Sequence, residues 1–238
     1  MDIGVFIFDT DYSINISELA RELEERGYES LFVPEHTHIP TSRRSPFPGG
    51  GELPKQYSHT LDPFVSLGFA AASTKNLKIG TGICLLPQRD PIVTAKSIAS
   101  LDLMSKGRFV LGLGGGWNVD EMENHGVTYK TRFAMMKEHV LAMKSLWVDE
   151  EAEFHGEYIN FDKSWAYPKP VQKPYPPILM GGETDYTLKR VVDYCDGWFP
   201  RGRGGFDAGE SMQRLKNMAA ESGRDMNTLS VSVFGAPP

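Results

Sequence analysis

The feature that most constrains the fold of this chain is a repeated alternation of short apolar segments with amphipathic stretches. Such alternation is typical of βα units, in which helices connect parallel strands. A closed barrel of eight such units takes about 250 residues, and the chain has 238. We therefore predict one domain, residues 1–238, with an α/β fold of the TIM (β/α)8 barrel class. Seven segments have the length and composition of strands: residues 3–8, 30–33, 77–83, 108–113, 178–180, 197–199 and 229–234.

The predicted strands fall one β/α unit short of a full barrel. The sequence ends at Phe234-Gly-Ala-Pro-Pro238, directly after the seventh segment. A shortened chain, an incomplete barrel or a second subunit that covers the gap would each explain this, since an open seam exposes strand edges. We expect a barrel that lacks its last β/α unit.

Several helices are specified by local sequence. Asn15 and Glu18 form a candidate capping box, and Gly27 follows the predicted helix as a terminator. Two further helices are predicted to begin at Asp-Pro pairs, because Asp caps a helix and Pro tolerates its first position. These pairs are Asp62-Pro63 and Asp90-Pro91. A later stripe at helical spacing predicts core packing: Phe133, Met136, Val140, Met143 and Trp147.

Two connections are too long for simple turns, at about residues 36–60 and 148–176. Both are rich in Pro and aromatic residues, and long insertions of this kind often form pocket walls or lids. Surface decoration or a dimer contact is the alternative interpretation. We expect these insertions to shape a pocket.

Composition narrows the class of partner. Lys and Arg total 25 against 31 Asp and Glu, for a net charge of −6 without a basic stripe, so we predict no nucleic-acid partner. Cys84 and Cys195 are too few for a disulfide framework. The amino terminus has no leader-like segment, and no apolar run approaches about 18 residues. We predict a cytoplasmic protein that acts on a small molecule and does not bind a membrane.

Candidate functional residues follow the predicted strands, because the active sites of such barrels lie at the carboxyl ends of the strands. Gly112–Trp117 is rich in glycine, but a dinucleotide fingerprint would need Gly where Trp117 stands, so a Rossmann domain is not supported. The minimal motifs of P-loop enzymes, zincins and nucleophile-elbow hydrolases are absent from the sequence. His36-Thr37-His38 resembles a metal pair, but the later strand ends supply no further ligands, so we predict no metal site. Gly181–Thr184 stands where a strand turns into a helix and could bind a phosphate.

Together these segments resemble the luciferase-like monooxygenase superfamily, and within it the oxidoreductases that use the deazaflavin coenzyme F420. The resemblance runs from residue 1 to about 233. Its most specific marks are 4–6, 27–36, 79–83, 107–109, 112–117, Glu121, 176–182 and 196–200.

The resemblance implies an isoalloxazine-like ring over the third and fourth strands, behind which a non-proline cis peptide at Gly82-Ile83 forms a bulge. It also implies that the backbone at Gly114, Gly115, Gly181 and Gly182 holds the phosphate-bearing tail. His36 matches the family's histidine beside the ring and is our candidate for proton transfer, because imidazole changes charge near neutral pH. A homodimer is also implied. The cofactor contacts implied by the resemblance are Glu35, His36, Gly82, Ile83, Cys84, Gly114, Gly115, Trp117, Gly181, Gly182 and Glu183.

Two positions depart from the family pattern. Glu35 stands where deazaflavin enzymes commonly carry Asp, and Trp117 stands where a sugar-phosphate dehydrogenase branch carries a catalytic carboxylate. That substrate class is therefore not carried over, and Trp117 is predicted to line the pocket. Glu121 either replaces the missing acid or complements a helix dipole. Arg201 and Arg203 either meet the anionic tail or are solvated.

The sequence thus predicts hydride transfer between coenzyme F420 and a small organic substrate. One alternative is a monooxygenase on the same scaffold that uses flavin mononucleotide (FMN). The other is a flavin-binding protein without catalytic activity.

Overall fold

The computed structural model describes residues 2–203 and 206–235 and contains a sheet of seven parallel strands. Its order is β1-β2-β3-β4-β7-β8-β9, so each strand lies beside its neighbour in the chain, apart from an inserted hairpin, β5-β6. This arrangement confirms the predicted parallel barrel with seven of its strands. The strands are β1 (Gly4–Phe6), β2 (Ser30–Val33), β3 (Lys78–Thr81), β4 (Phe109–Leu113), β5 (Ala152–His155), β6 (Asn160–Ser164), β7 (Ile178–Gly181), β8 (Gly197–Phe199) and β9 (Ser230–Val231).

Strand β1, at one edge of this sheet, contacts the segment that follows β9 at the other edge through aromatic side chains. The Phe6 and Phe234 ring centroids are 4.4 Å apart. Phe234 belongs to the predicted strand 229–234, of which the structure forms β9 and, further on, an isolated bridge between Phe234 and Arg201.

Helices cover the outer face of the sheet. The Asp62 carboxylate accepts hydrogen bonds from the Phe64 and Val65 amides, and Asp90 accepts one from Val93, as both Asp-Pro pairs predict. The capping box predicted for Asn15 and Glu18 is wrong. The Asn15 side chain does cap the helix, but it accepts from Ser17 N and not from Glu18 N. No helix in the described ranges is long and apolar enough to cross a membrane. The helices are α1 (Ile16–Glu25), α2 (Pro63–Ser73), α3 (Pro91–Ser105), α4 (Val119–Asn124), α5 (Arg132–Val148), α6 (Asp185–Tyr194) and α7 (Ala208–Ser222).

Inside the barrel, glycines on some strands lie against phenylalanine rings from others. A Cβ at Gly80 would lie 2.4 Å from the Phe32 ring, and one at Gly112 would lie 2.1 Å from the Thr81 carbonyl oxygen. The Phe32 and Phe199 rings meet with centroids 5.1 Å apart. Because Gly80 on β3 and Gly112 on β4 have no side chains, the large rings of Phe32 on β2 and Phe199 on β8 fit beside them.

Helix α5 carries the predicted apolar stripe, and four of its five members are buried: Met136, Val140, Met143 and Trp147. The Trp147 indole N–H donates to Ala95 O at 3.0 Å, which ties α5 to α3. Phe133, at the first turn, is only partly buried and packs beside Gly115 instead. Its position places it at the mouth of the barrel.

The second long connection contains structure that the sequence analysis missed. Residues 152–164 form the antiparallel hairpin β5-β6. Its turn is held by the Glu138 carboxylate of α5, which accepts the N–H groups of Glu157, Tyr158 and Ile159. The hairpin is thus anchored to the outer helical layer.

Candidate functional site

The three glycine turns of the sequence analysis meet around one side chain, Ile83. The Gly82-Ile83 peptide is cis, in agreement with the expectation from family resemblance. A Cβ at Gly114 would lie 2.1 Å from Ile83 Cδ1, and one at Gly181 would lie 3.0 Å from Ile83 Cγ2. Gly82, Gly114 and Gly181 therefore lie at the same end of the sheet, where the carboxyl ends of β3, β4 and β7 meet.

The backbone donors at this end divide into two groups. The Gly82 amide donates to Val33 O at 2.8 Å, Cys84 N to Gly112 O at 2.7 Å, and Gly114 N to Cys84 O at 3.0 Å. These three amides already donate to backbone carbonyl oxygens. Gly82 and Gly114 therefore offer no free donor, and their lack of a side chain only lets another group come close to the backbone. By contrast, the Gly115 and Gly182 amides have no acceptor among the described residues.

Gly182 occupies a backbone conformation that favours glycine, with φ +117°. Its carbonyl oxygen accepts a hydrogen bond of 2.7 Å from the buried Trp198 indole, which fixes the orientation of the turn. A Cβ here would lie 2.8 Å from Thr187 Oγ1. The turn after β7 is therefore a rigid feature that leads directly into α6.

Glu183 and Arg201, two residues that the sequence analysis associated with an anionic tail, bind each other. Arg201 donates to the Glu183 carboxylate from its backbone N, from Nε and from Nη2, at 2.8–2.9 Å. Burial raises the pKa of Glu183, but the bonds from Arg201 outweigh it, so the pKa lies below its ordinary value. In this arrangement each side chain neutralises the other.

A second pair of arginines, which the sequence analysis missed, lies beside Gly115. The guanidinium carbons of Arg132 and Arg190 lie 4.3 and 3.8 Å from the Phe133 ring centroid. Neither side chain forms an ion pair with a carboxylate among the described residues, and Nε of Arg132 is buried without a hydrogen-bond partner. Burial lowers the pKa of both groups. Arg132 Nη1 donates to Tyr129 O at 2.6 Å, and both positive charges are left without a carboxylate in the described part of the chain and could attract an anion.

His36 lies at the mouth in a buried dyad with Glu121. Its Nδ1 is 2.7 Å from Glu121 Oε2, and the two side chains are 5% and 0% exposed. The other carboxylate oxygen, Oε1, accepts the Thr37 backbone N–H at 3.1 Å. The Thr60 hydroxyl donates to His36 O at 2.9 Å and holds the backbone. His36 is therefore fixed from both its backbone and its ring.

Aromatic rings surround the remaining faces of His36. The Tyr57 and Trp117 ring centroids lie 5.3 and 5.8 Å from that of His36, and Phe47 contacts both of these aromatics. Burial raises the pKa of the Tyr57 hydroxyl, against the lowering effect of Arg203 and Arg201. These rings give the neighbourhood of His36 a largely apolar lining, and the position of Trp117 in a substrate pocket stays a prediction.

Glu35 and Cys84, also predicted to contact a cofactor, are embedded in the protein. Glu35 accepts from Leu85 N at 2.7 Å and from Arg89 Nε at 2.5 Å. Cys84 is fully buried, and burial raises the pKa of its thiol well above its ordinary value. Both residues hold the strand ends in place, and their contact with a cofactor stays a prediction.

The first insertion, residues 36–60, is tethered by Asp120 of α4. One Asp120 oxygen, Oδ2, accepts from the Ser42 hydroxyl at 2.6 Å and from Arg44 N at 3.1 Å. The Ser45 hydroxyl donates to Oδ1 and accepts from Val119 N. The insertion that places Phe47 and Tyr57 near His36 is therefore bound to the helix that carries Glu121.

His38 does not join His36. It bonds Thr37 and Asn124 and lies beside His125, with ring centroids 5.5 Å apart. No cluster of three metal-ligating side chains is present in residues 2–203 and 206–235. A cavity of about 110 Å³ between α3, α5 and residues 164–168 lies away from this mouth and contains none of the predicted site residues.

Comparison with known proteins places these features in context. The family model for luciferase-like monooxygenases matches residues 1–237. An uncharacterised protein of Mycobacterium tuberculosis is 42% identical over 229 residues, which cover 94% of this chain and 80% of the relative. An F420-dependent hydroxymycolic acid dehydrogenase of the same organism is 29% identical over 175 residues, 72% of this chain and 48% of that enzyme. The crystal structure of a monooxygenase from Streptomyces bottropensis superposes with a TM-score of 0.81 at 22% identity, covering 98% of this chain and 70% of that one.

Proposed function

The chain belongs to the luciferase-like monooxygenase family, and from that premise we propose that it is an oxidoreductase that transfers a hydride between coenzyme F420 and a small organic substrate. The observation that carries the proposal is the grouping, at one end of the sheet, of free backbone donors, uncompensated cations and a buried His-carboxylate dyad. Each of these three features suits one part of such a reaction.

The residues at the mouth fit an anionic ring-and-tail cofactor. Gly115 and Gly182 offer backbone N–H groups without protein acceptors, and Arg132 and Arg190 offer positive charge without carboxylate partners. Between them Ile83 projects from the Gly82-Ile83 turn toward Gly114 and Gly181. We propose that Gly115, Gly182, Arg132 and Arg190 hold the phosphate-bearing tail and that Ile83 supports the ring.

His36 is proposed as the proton-transfer residue. When bound, the deazaflavin would accept or donate the hydride, and the protein would orient the substrate and move one proton. The His36 ring lies among Tyr57 and Trp117, whose rings exclude water and provide an apolar surface for the carbon skeleton of the substrate. The F420-dependent relative supports this choice of cofactor.

FMN is the second candidate, favoured by the structural similarity to a monooxygenase. Both cofactors carry a phosphate, but the deazaflavin also carries an acidic tail that needs more positive charge. The pair of arginines therefore favours F420. A protein that binds a flavin without catalysis remains the third interpretation, and it predicts no role for His36.

The test is an anaerobic calorimetric titration of the purified protein with oxidised F420 and, separately, with FMN. We expect F420 to bind, and Arg132→Met and Arg190→Met each to weaken binding by on the order of tenfold. Met keeps the packing on Phe133 while it removes the charge. Arg26→Met, at the exposed C-terminal end of α1, is the matched control and should leave the affinity unchanged. Tight FMN binding without F420 binding would replace the first proposal with the second, and binding of neither would remove the redox assignment.

A further inference from the structure

We propose that Glu121 is a positioning residue that holds the His36 ring in the Nδ1–H tautomer, which leaves Nε2 as the atom that takes or returns the proton of the substrate. This inference rests on the proposed function for its catalytic consequence. Its structural part concerns the protein alone. Glu121 acts through His36 and does not itself contact the substrate.

The two oxygens of Glu121 determine the tautomer. A carboxylate accepts hydrogen bonds and donates none. Oε2 lies 2.7 Å from His36 Nδ1, so this nitrogen must carry the proton. Oε1 accepts the Thr37 amide at 3.1 Å, which prevents the carboxylate from rotating away. Both side chains are buried, so water does not compete for these bonds.

The orientation of Glu121 excludes a role limited to the helix dipole. Glu121 belongs to the first turn of α4, where an acid stabilises a helix by proximity alone. Its own amide is capped by the Asn118 side chain at 3.4 Å. Its carboxylate, however, points across to His36 and Thr37 on a different segment of the chain. Both oxygens are used there.

The opposite ring nitrogen is available for chemistry. Nε2 of His36 has no hydrogen-bond partner among the described residues, whereas Nδ1 is occupied. With an oxidised cofactor bound, the substrate C–H bond would break and supply the hydride, the substrate O–H proton would move to Nε2, and a C=O bond would form. The positive imidazolium then faces the Glu121 carboxylate. Reduction of a carbonyl reverses each of these transfers.

Glu121→Gln tests the assignment, because the structure predicts how the amide must orient. The Thr37 N–H can only donate, so the Gln carbonyl oxygen stays opposite Thr37 and the NH₂ group faces Nδ1. That nitrogen must then accept, and the ring proton moves to Nε2. Replacing a carboxylate beside a catalytic imidazole with an amide inverts the tautomer in the same way in serine proteases. The altered ring can no longer take a proton from the substrate.

The measurement is nitrogen NMR of histidine-labelled protein without cofactor, with the His36 resonance assigned by comparison with His36→Gln. We expect the Nδ1–H tautomer in the wild type and the Nε2–H tautomer in Glu121→Gln. In the loaded enzyme, kcat for alcohol oxidation should fall by about 10²- to 10⁴-fold with little change in KM. Glu121→Asp, which keeps the carboxylate, should keep the wild-type tautomer and recover part of the activity.

Glu18→Gln is the matched control, since it neutralises an exposed first-turn acid on α1 and should leave both the tautomer and kcat unchanged. An Nε2–H tautomer in the wild type would overturn the proposal even if no variant folds. Lost activity in Glu121→Gln with an unaltered tautomer would overturn it as well, while the proposed function stood. An inverted tautomer in a protein that oxidises no alcohol with either cofactor would instead remove the proposed function and leave the positioning role intact.

Discussion

Replacing Gly112 with Ala tests the glycine-phenylalanine packing inside the sheet, because the space available there can be read from the structure. A Cβ at this position would lie 2.1 Å from the Thr81 carbonyl oxygen, more than 1 Å short of the optimal separation of about 3.5 Å. The obstructing atom is backbone, and β3 is held on its other side by four paired residues of β2. The second contact, Phe199 Cδ1 at 3.1 Å, leaves no room on the far side.

The added methyl group must therefore push β3 and β4 apart. Overpacking of this kind costs about 1–3 kcal/mol, and we expect the upper end of the range because the neighbour cannot rotate away. For a chain of this length each kcal/mol lowers the melting temperature by roughly 2–4 °C, so Gly112→Ala should unfold about 6–12 °C below the wild type.

Gly68→Ala is the matched control, since Gly68 lies within α2 and a Cβ there would have no neighbour within 4 Å. Removing a mid-helix glycine should raise the unfolding free energy by up to about 1 kcal/mol. Thermal unfolding followed by circular dichroism, with urea titration for the free energies, measures both variants. If Gly112→Ala melts at or above the wild-type temperature, the interior is not packed as the structure indicates and the reasoning is refuted.

Three further substitutions probe other parts of the structure. Arg108 donates to the Ala71 and Thr74 carbonyl oxygens at the end of α2 and to Leu77 O before β3. Arg108→Met should therefore lower the urea unfolding free energy by about 2–4 kcal/mol, and a loss below about 0.5 kcal/mol would contradict this assignment. Trp198→Phe leaves Gly182 O without its indole donor and should weaken cofactor affinity in calorimetry by at least about threefold, whereas unchanged affinity would show that the turn needs no such support. Asp120→Asn should speed amide hydrogen exchange in residues 39–54 at pH 7, because it removes the charge that holds Arg44 and one of the two carboxylate acceptors. The Ser42 hydroxyl bond holds the pKa of Asp120 below its ordinary value, so this tether is fully present above pH about 4 and is lost as pH falls through the lowered pKa. Wild-type exchange, corrected for intrinsic rates, should therefore approach that of the variant only in acid, and a difference that persists there would contradict the tether.

The barrel could be predicted from the sequence because its central strands, β2, β4, β7 and β8, are short apolar segments that are mostly buried. Residues 30–33 and 197–199, for instance, form β2 and β8 with the predicted bounds. The hairpin β5-β6 was missed because its strands are only four and five residues long, consist largely of polar and charged residues, and expose most of their side chains. The turn of this hairpin is held by the Glu138 carboxylate, which lies about twenty residues earlier in the chain and forms no local sequence pattern with the turn.

The candidate site could be predicted only in part. Glycine turns and His36 stand directly after strands, so their common location follows from topology. His36 pairs with Glu121, which lies 85 positions further along the chain. Whether Glu121 serves the site or only complements the dipole of α4 depends on where its side chain points. Arg132 and Arg190 come from two helices, and their lack of carboxylate partners is a property of the folded chain.

The adjacent acids of α4 have a consequence for how this scaffold can acquire new substrates. Asp120 binds the segment that brings Phe47 and Tyr57 beside His36, and its neighbour Glu121 binds the imidazole that we propose transfers the proton. Grafting a foreign segment in place of residues 39–54 would therefore disturb catalytic alignment unless the graft also retained hydroxyl groups equivalent to those of Ser42 and Ser45. If the proposed roles hold, the segment that sets specificity and the residue that transfers the proton are joined through α4, so neither can be exchanged without the other.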